Sequence, residues 1–598
     1  MLKKLLNTPI FNPQPQKNSW VFWFLLSCVS PLYYGTLSLI NAFSHPYLIQ
    51  DDARQHIFWM HRFVDPTLFP DDIIADYFQT INPGGYEAFY HLMAQLGIEP
   101  LLLAKLLPIF LGFITSAYCF GVVMQLFPVP FGAFLTTLIL NQGLWMRDEI
   151  ITGTSRAFLY PLLLAFIYYL LRQSFIACMI SMALQAVFYP PLALVQAGTL
   201  LMRLVQWQNG KPRFTRERSP YLFGLVGSGL AIALILSFFP DLSAFNPMVT
   251  ATQMQAMPEF GAGGRLGYFN QDFWQTWISG DSAILPRFVP PIILLSVLFP
   301  IFCRRSSLSR LVSNKITLLR DLLYSSLCLF LLAHILLPRL YFPSRFTGAS
   351  FWFAMVVTTG IGITLGLEKF RVGLLQQNLN DLKVKRARCF ADTVRVALTA
   401  IFILANLLIP FVPSIFLKGQ SQIIGGAPKI YQFFAQQPKD ILIASLAEEI
   451  DNVPAFSKRS ILVSKEYALP FHLGYYNQIR QRAIDLINAQ YSPSLPRLQN
   501  FIRKYNIDFF LVDRNAFQPE AILNNPGLKN WLMQFQPATN EAIARLQRQE
   551  KLAIVPLIKP CTVLKANNLF VLEAQCLLSG GVRTPAQEPL KRQPNAIP

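Results

Sequence analysis

Charge is scarce in this chain: only 14% of its 598 residues are Asp, Glu, Lys or Arg, against roughly a quarter in soluble domains. That deficit excludes an ordinary water-soluble globular protein and points to a polytopic membrane protein. The eight cysteines contain no CxxC pair and no zinc-finger spacing, which removes zinc ribbons and thioredoxin-like redox motifs. No internal repeat is visible, so a solenoid or propeller is excluded. Basic residues outnumber acidic ones by 51 to 32, a formal net charge of +19. Much of that excess lies in short loops between apolar runs rather than on one soluble face, which argues for membrane topology and against nucleic acid as a partner.

What the chain has in abundance is apolar sequence, 53% of all residues. The first run, about 19–43, follows Lys3, Lys4 and Lys17 and is too long for a signal-peptide core; it reads as a retained span with a cytoplasmic N-terminus. Further runs are centred near 100–125, 128–146, 155–171, 174–189, 191–205, 220–239, 290–303, 321–338, 347–367 and 392–415. The expectation is about eleven transmembrane helices. Lys211, Arg213, Arg216 and Arg218 fall in one predicted cytoplasmic loop, Arg304, Arg305, Arg310 and Lys315 in the next, and Lys369, Arg371, Lys383, Lys385, Arg386 and Arg388 in the third. The loops between them are poor in Lys and Arg, as the positive-inside rule requires.

An odd number of spans puts the rest of the chain outside. Residues 1–417 therefore read as a transmembrane domain with long outer loops at 44–98 and 240–289, residues 418–580 as a soluble extracytoplasmic α/β domain, and 581–598 as a disordered tail. Segments 440–445, 460–464 and 507–513 read as buried strands, 472–490 and 494–505 as helices, and 562–573 as a terminal hairpin. Cys561 and Cys576 both lie in this part and are expected to form a disulfide if it is extracytoplasmic. The first outer loop carries two amphipathic segments, near 51–64 and 85–97, suited to the membrane interface. The second holds the glycine-rich stretch 261–267, expected to be mobile.

On this threading the outer side collects the unusual residues: the acidic pairs Asp51-Asp52, Asp71-Asp72 and Asp148-Glu149, all six histidines, and Arg156, Arg339 and Arg345 against the usual bias of positive charge. Asp51-Asp52 stands directly after the first span, where a carboxylate pair is costly to desolvate. Each of these has a plain structural reading as well. Asp51-Asp52 and Asp71-Asp72 suit helix caps, Asp148-Glu149 a solvated turn beside Arg147, and Arg339 and Arg345 lipid headgroups.

A first span followed at once by an acidic pair, interfacial helices in the first outer loop, about eleven spans and an extracytoplasmic C-terminal domain together resemble the GT-C superfamily. These are integral membrane glycosyltransferases that use polyprenyl-phosphate-linked sugars, among them protein mannosyltransferases, the aminoarabinose transferase of lipid A and oligosaccharyltransferase. The chain does not carry the WWDxG-type signature of the last. The resemblance implies that an Asp of the first outer loop acts as base or orients the acceptor, and that a second outer loop supplies another acid, a position Asp148-Glu149 matches in topology.

The chemistry needs few groups. A lipid phosphate leaves well without a general acid, and one carboxylate beside the acceptor hydroxyl serves as general base. Asp51 is the candidate base, with Asp52 orienting it or holding a metal. Arg345 in Tyr341-Phe-Pro-Ser-Arg-Phe346, Arg339 and Arg156 are candidates for the departing phosphate. If a divalent cation such as Mg or Mn is used, Asp52, Asp148, Glu149 and His56 are its candidate oxygen and nitrogen ligands. His56 has a competing reading, a simple hydrogen bond to Asp52 on the same helix face.

The function expected is transfer of a hexosyl or pentosyl group, with inversion, from a polyprenyl-phosphate donor to a glycan, lipid or protein acceptor. It would take place on the outer side of a bacterial-type inner membrane and build cell-envelope polysaccharide, lipid or glycoprotein. Two other readings are a transporter or flippase of a lipid-linked saccharide, which needs ionisable residues near span midpoints, and a non-catalytic membrane assembly protein of the cell envelope.

Overall fold

The computed structural model describes residues 17–208, 211–238, 241–269, 272–280, 282–377, 404–405, 407–418 and 420–582. The expected span at 392–415, the cluster Lys383, Lys385, Arg386 and Arg388, and the tail beyond 582 lie wholly or largely outside them.

Long apolar runs satisfy their backbone hydrogen bonds internally only as helices when no water is at hand, and each described run is helical. Among the described residues five helices are long and apolar enough to cross a membrane: Ser19–Ala42, Pro100–Leu126, Arg218–Ser237, Asn314–Ile335 and Ser344–Lys369. Shorter apolar helices, Pro130–Trp145, Ser155–Leu171, Phe175–Phe188, Pro190–Met202 and Pro291–Arg304, pack among them. The run at 290–303 is wound as 3-10 helix over Pro291–Leu298 before an α-helical end at Phe299–Arg305. The chain breaks at Tyr189, and Pro190 starts the next helix, where its missing N–H costs nothing.

The first helix packs on Pro100–Leu126 and Pro130–Trp145, which also lies against the helix from Ser344. Small residues set that last approach. A Cβ on Gly143 would stand 2.1 Å from the Trp352 ring, and one on Gly360 2.1 Å from Thr136 Oγ1. With no hydrophobic drive between helices in lipid, such close backbone contact is a main source of packing energy.

The C-terminal part is an α/β layer. Its five-stranded sheet runs in the order Ser460–Ile461, Leu442–Ser445, Phe509–Asp513, Leu569–Glu573, Thr562–Ala566. The first three strands are parallel and the last two form an antiparallel hairpin against Phe509–Asp513. Parallel strands need a crossover, and the helices Leu473–Gln490 and Leu495–Tyr505 supply it between Ser460–Ile461 and Phe509–Asp513. Cys561 and Cys576 are joined by a disulfide, Cα to Cα 5.4 Å.

Two contacts differ from the sequence expectation. The segment after Asp51 is not an interfacial helix facing lipid: Phe58, Trp59 and Met60 are at most 1% exposed, and Phe58 packs edge-on against Tyr467 of the C-terminal part. Its apolar face is amphipathic because protein covers it. The glycine-rich stretch 261–267 is tethered through Arg265, whose guanidinium donates to the carbonyl oxygens of Lys465 and Glu466 at 3.1 and 2.9 Å.

Candidate active site

The short helix Asp51–Ile57 begins where strand Leu48–Gln50 ends. That strand pairs antiparallel with Gln422–Ile424 at the start of the C-terminal part. The Gln50 side chain caps the helix by accepting from the Ala53 amide at 3.0 Å, which fixes where the two following carboxylates point. Adjacent helical residues diverge by about 100°, so Asp51 and Asp52 face different surroundings.

Asp51 turns towards the C-terminal part. Its Oδ1 accepts from Arg54 Nη2 at 2.7 Å, and the same nitrogen lies 3.1 Å from Glu466. Arg54 Nη1 donates to Asn452 at 2.8 Å, and Arg265 reaches Glu466 at 3.1 Å. Burial pushes the Glu466 carboxyl up to about 6, with Asp451 and Asp51 adding and Arg265 and Arg54 opposing. This cluster binds the first loop, the second loop and the C-terminal part together.

Asp52 turns towards the helical bundle. Its Oδ2 accepts from Arg156 Nη1, and Arg156 Nη2 lies 3.7 Å from Asp148. Both Asp52 and Arg156 keep about a quarter of their side-chain surface exposed, 29% and 25%. Burial opposes the charge on Asp52, but Arg156, His56 and Arg345 outweigh it and hold its carboxyl below the usual range. It is therefore ionised at neutral pH. One turn on, burial and the charges of Arg345, Arg156 and Arg265 hold His56 down to about 4 against the pull of Asp52, so its ring is neutral at pH 7.

Arg345 is exposed at the start of the helix from Ser344. Its Nη1 donates to the Tyr189 hydroxyl at 3.4 Å. Asp52, His56, Arg156 and Arg345 thus share one electrostatic neighbourhood at the end of the bundle that bears the C-terminal part. Arg339 is exposed, and its only described hydrogen bond donates its backbone N–H to Leu336 at 2.8 Å.

The four candidate metal ligands are not gathered. Glu149 is buried against Arg147 rather than sitting in a solvated turn, Asp148 faces Arg156 and, at 4.0 Å, Arg287, and Asp52 faces Arg156. Among the described residues no group of three or more His, Cys, Asp or Glu side chains is placed to hold a metal ion. The residues present do not fit a bound cation as arranged, since each acid already faces a guanidinium.

Sequence reasoning passed over Tyr189, Arg265 and Arg287. Tyr189 had one signal, its place at a helix break before Pro190-Pro191. The two arginines had none, because their partners are distant in sequence.

No family model matches the chain, and no curated protein matches it. Among solved structures it is similar to the arabinofuranosyltransferase AftD from Mycobacteria, at 11% identity and a TM-score of 0.43, covering 84% of this chain and 36% of that one. The chain therefore spans about a third of that protein's length. It is similar also to the Archaeoglobus fulgidus oligosaccharyltransferase in the apo form, at 12% identity and a TM-score of 0.43, covering 87% of this chain and 72% of that one. The same oligosaccharyltransferase, AglB, in complex with an inhibitory peptide and a dolichol-phosphate, matches at 11% identity and a TM-score of 0.43, with the same coverage.

Proposed function

We propose that this chain is a membrane-embedded glycosyltransferase of GT-C type that moves a sugar from a polyprenyl-phosphate donor to an acceptor hydroxyl or amide at the face bearing the C-terminal part. The observation that carries the reading is Asp52: an ionised, partly exposed carboxylate at the mouth of an apolar helical bundle, set among Arg156 and Arg345. A phosphate leaving group needs fixed positive charge at that depth, and guanidinium groups provide it with directional hydrogen bonds. The acceptor needs one carboxylate to orient it and take its proton.

In this reading Asp52 takes the base role rather than Asp51, whose carboxylate is engaged by Arg54. Arg156 starts on Asp52 and turns to the donor phosphate when it binds, which frees Asp52 for the acceptor. Arg345 and the Tyr189 hydroxyl complete the phosphate side. A single displacement inverts the anomeric centre. The face concerned is the extracytoplasmic one, and the products are cell-envelope glycans, glycolipids or glycoproteins.

The test is transfer by purified protein in detergent or nanodiscs, offered a panel of polyprenyl-phosphate sugars. Asp52→Asn is expected to lower the rate by roughly 10²-fold or more, the range of a lost general base, while Asp51→Asn retains most of it. Near wild-type transfer by Asp52→Asn sinks the assignment.

A further inference from the structure

Beside the Asp51–Ile57 helix lies a small cleft, open to solvent on one side. Ser38, Gln50, Lys105, Thr152 and Gln422 supply its polar lining, and no carboxylate lines it. Lys105 stands in the second turn of the apolar helix Pro100–Leu126, about 7–8 Å along the axis from its start. So near the end of a span a long side chain can carry its ammonium to the interface, the depth of lipid phosphates. The ammonium lies 5.1 Å from the centre of the Phe43 ring, and the nearby Glu99 carboxylate that acts on it is shared with Lys458 at 3.2 Å and His61 at 3.3 Å. Across the cleft, Gln50 is 7% exposed. Its Oε1 is used as the helix cap, and its buried Nε2 has no hydrogen-bond partner. An ammonium and an amide NH2 are donors only, and a buried donor left unmade is costly. The Gln50 amide therefore asks for an acceptor, and Lys105, half-buried, brings a positive charge to the same cleft.

We propose that this cleft binds a phosphate anion between Lys105 and the Gln50 amide, separate from the Asp52 site. The anion comes either from a phospholipid headgroup, whose depth at the end of the first span the cleft matches, or from free phosphate. Because Gln50 also caps the helix that carries Asp52, an occupied cleft steadies that helix from behind.

The experiment uses the full chain in nanodiscs of mixed phosphatidylcholine and phosphatidylglycerol, with the lipid retained after release measured by native mass spectrometry. Wild type is expected to hold phosphatidylglycerol in preference, and Lys105→Gln to lose roughly fivefold of that preference, the effect of one lysine at an anionic surface. Lys105→Arg keeps it, and Gln50→Glu, which retains a capping acceptor but puts a carboxylate in the cleft, abolishes it. A parallel arm measures binding of inorganic phosphate alone. Displacement of the lipid by phosphate, or phosphate binding that requires Lys105, supports the site with the free anion as its source. Equal lipid ratios in wild type and Lys105→Gln, together with phosphate binding unchanged by either substitution, overturn the proposal. Thermal unfolding of each variant shows that a loss is not a failure to fold.

Discussion

Arg156 holds the carboxylate of Asp52 across 104 residues of sequence, joining the loop after the first helix to the end of a later one. Both side chains sit among protein groups and keep about a quarter of their surface open to solvent. If the two act as one unit, their removal is strongly non-additive. Arg156→Ala and Asp52→Asn are each expected to cut sugar transfer by roughly 10²-fold or more, and the double variant to be little worse than the poorer single one. Rates for the four proteins with one donor check this; multiplicative losses show that the pair does not work together.

Glu466 gives the protein a pH signature. Its carboxyl titrates at about 6 in the folded chain against an ordinary 4.5, so the folded state holds that proton more tightly than the unfolded state. Its contribution to stability is fully present below about pH 4.5 and fades as the pH rises through 6. Glu466→Gln removes the titration. Wild type should therefore lose thermal stability relative to the variant between these two pH values, and parallel unfolding curves across the range argue against the assignment.

Glu259 holds the second long loop on the C-terminal part. Its side chain is buried and accepts from the Tyr476 hydroxyl at 2.7 Å and from Arg480 at 2.6 Å. Glu259→Ala leaves both donors without their acceptor, at a cost of about 1–3 kcal/mol. Limited proteolysis should then cut faster within 261–267, while the core of the C-terminal sheet stays protected.

The disulfide closes a loop with a sequence separation of 15, which is worth about 3 kcal/mol. Both cysteines are buried, at 0% and 2% exposure. The pair Cys561→Ser and Cys576→Ser is expected to lower the unfolding temperature of the C-terminal part. Mild reductant should leave the native wild type unchanged and act only on heating.

Much of this architecture is written in local pattern. Apolar runs between polar loops mark every described helix of the bundle. The strand at Phe509–Asp513 and the hairpin Thr562–Glu573 show in their apolar and β-branched content, because a buried strand needs such residues whatever it pairs with. The Asp51-Asp52 pair was conspicuous for its place, but the different arginine each carboxylate meets was not legible. Which of two neighbouring carboxylates meets Arg156 depends on the Gln50 cap, and so on a strand whose partner begins at Gln422. The cover over Phe58 and Trp59 was hidden for the same reason: an amphipathic face looks alike whether lipid or protein lies against it. Arg265 became visible only when the fold brought it to Glu466.

The antiparallel pairing of Leu48–Gln50 with Gln422–Ile424, extended by the Asp51 amide donating to the Ser421 carbonyl at 3.0 Å, ties two distant stretches of chain into one hinge plate. The turn bearing Asp52 is therefore anchored to the C-terminal part through its own backbone. The position of the Asp52 turn is thus set from two ends of the sequence at once, and a change at Gln422–Ile424 reaches it without touching the helical bundle.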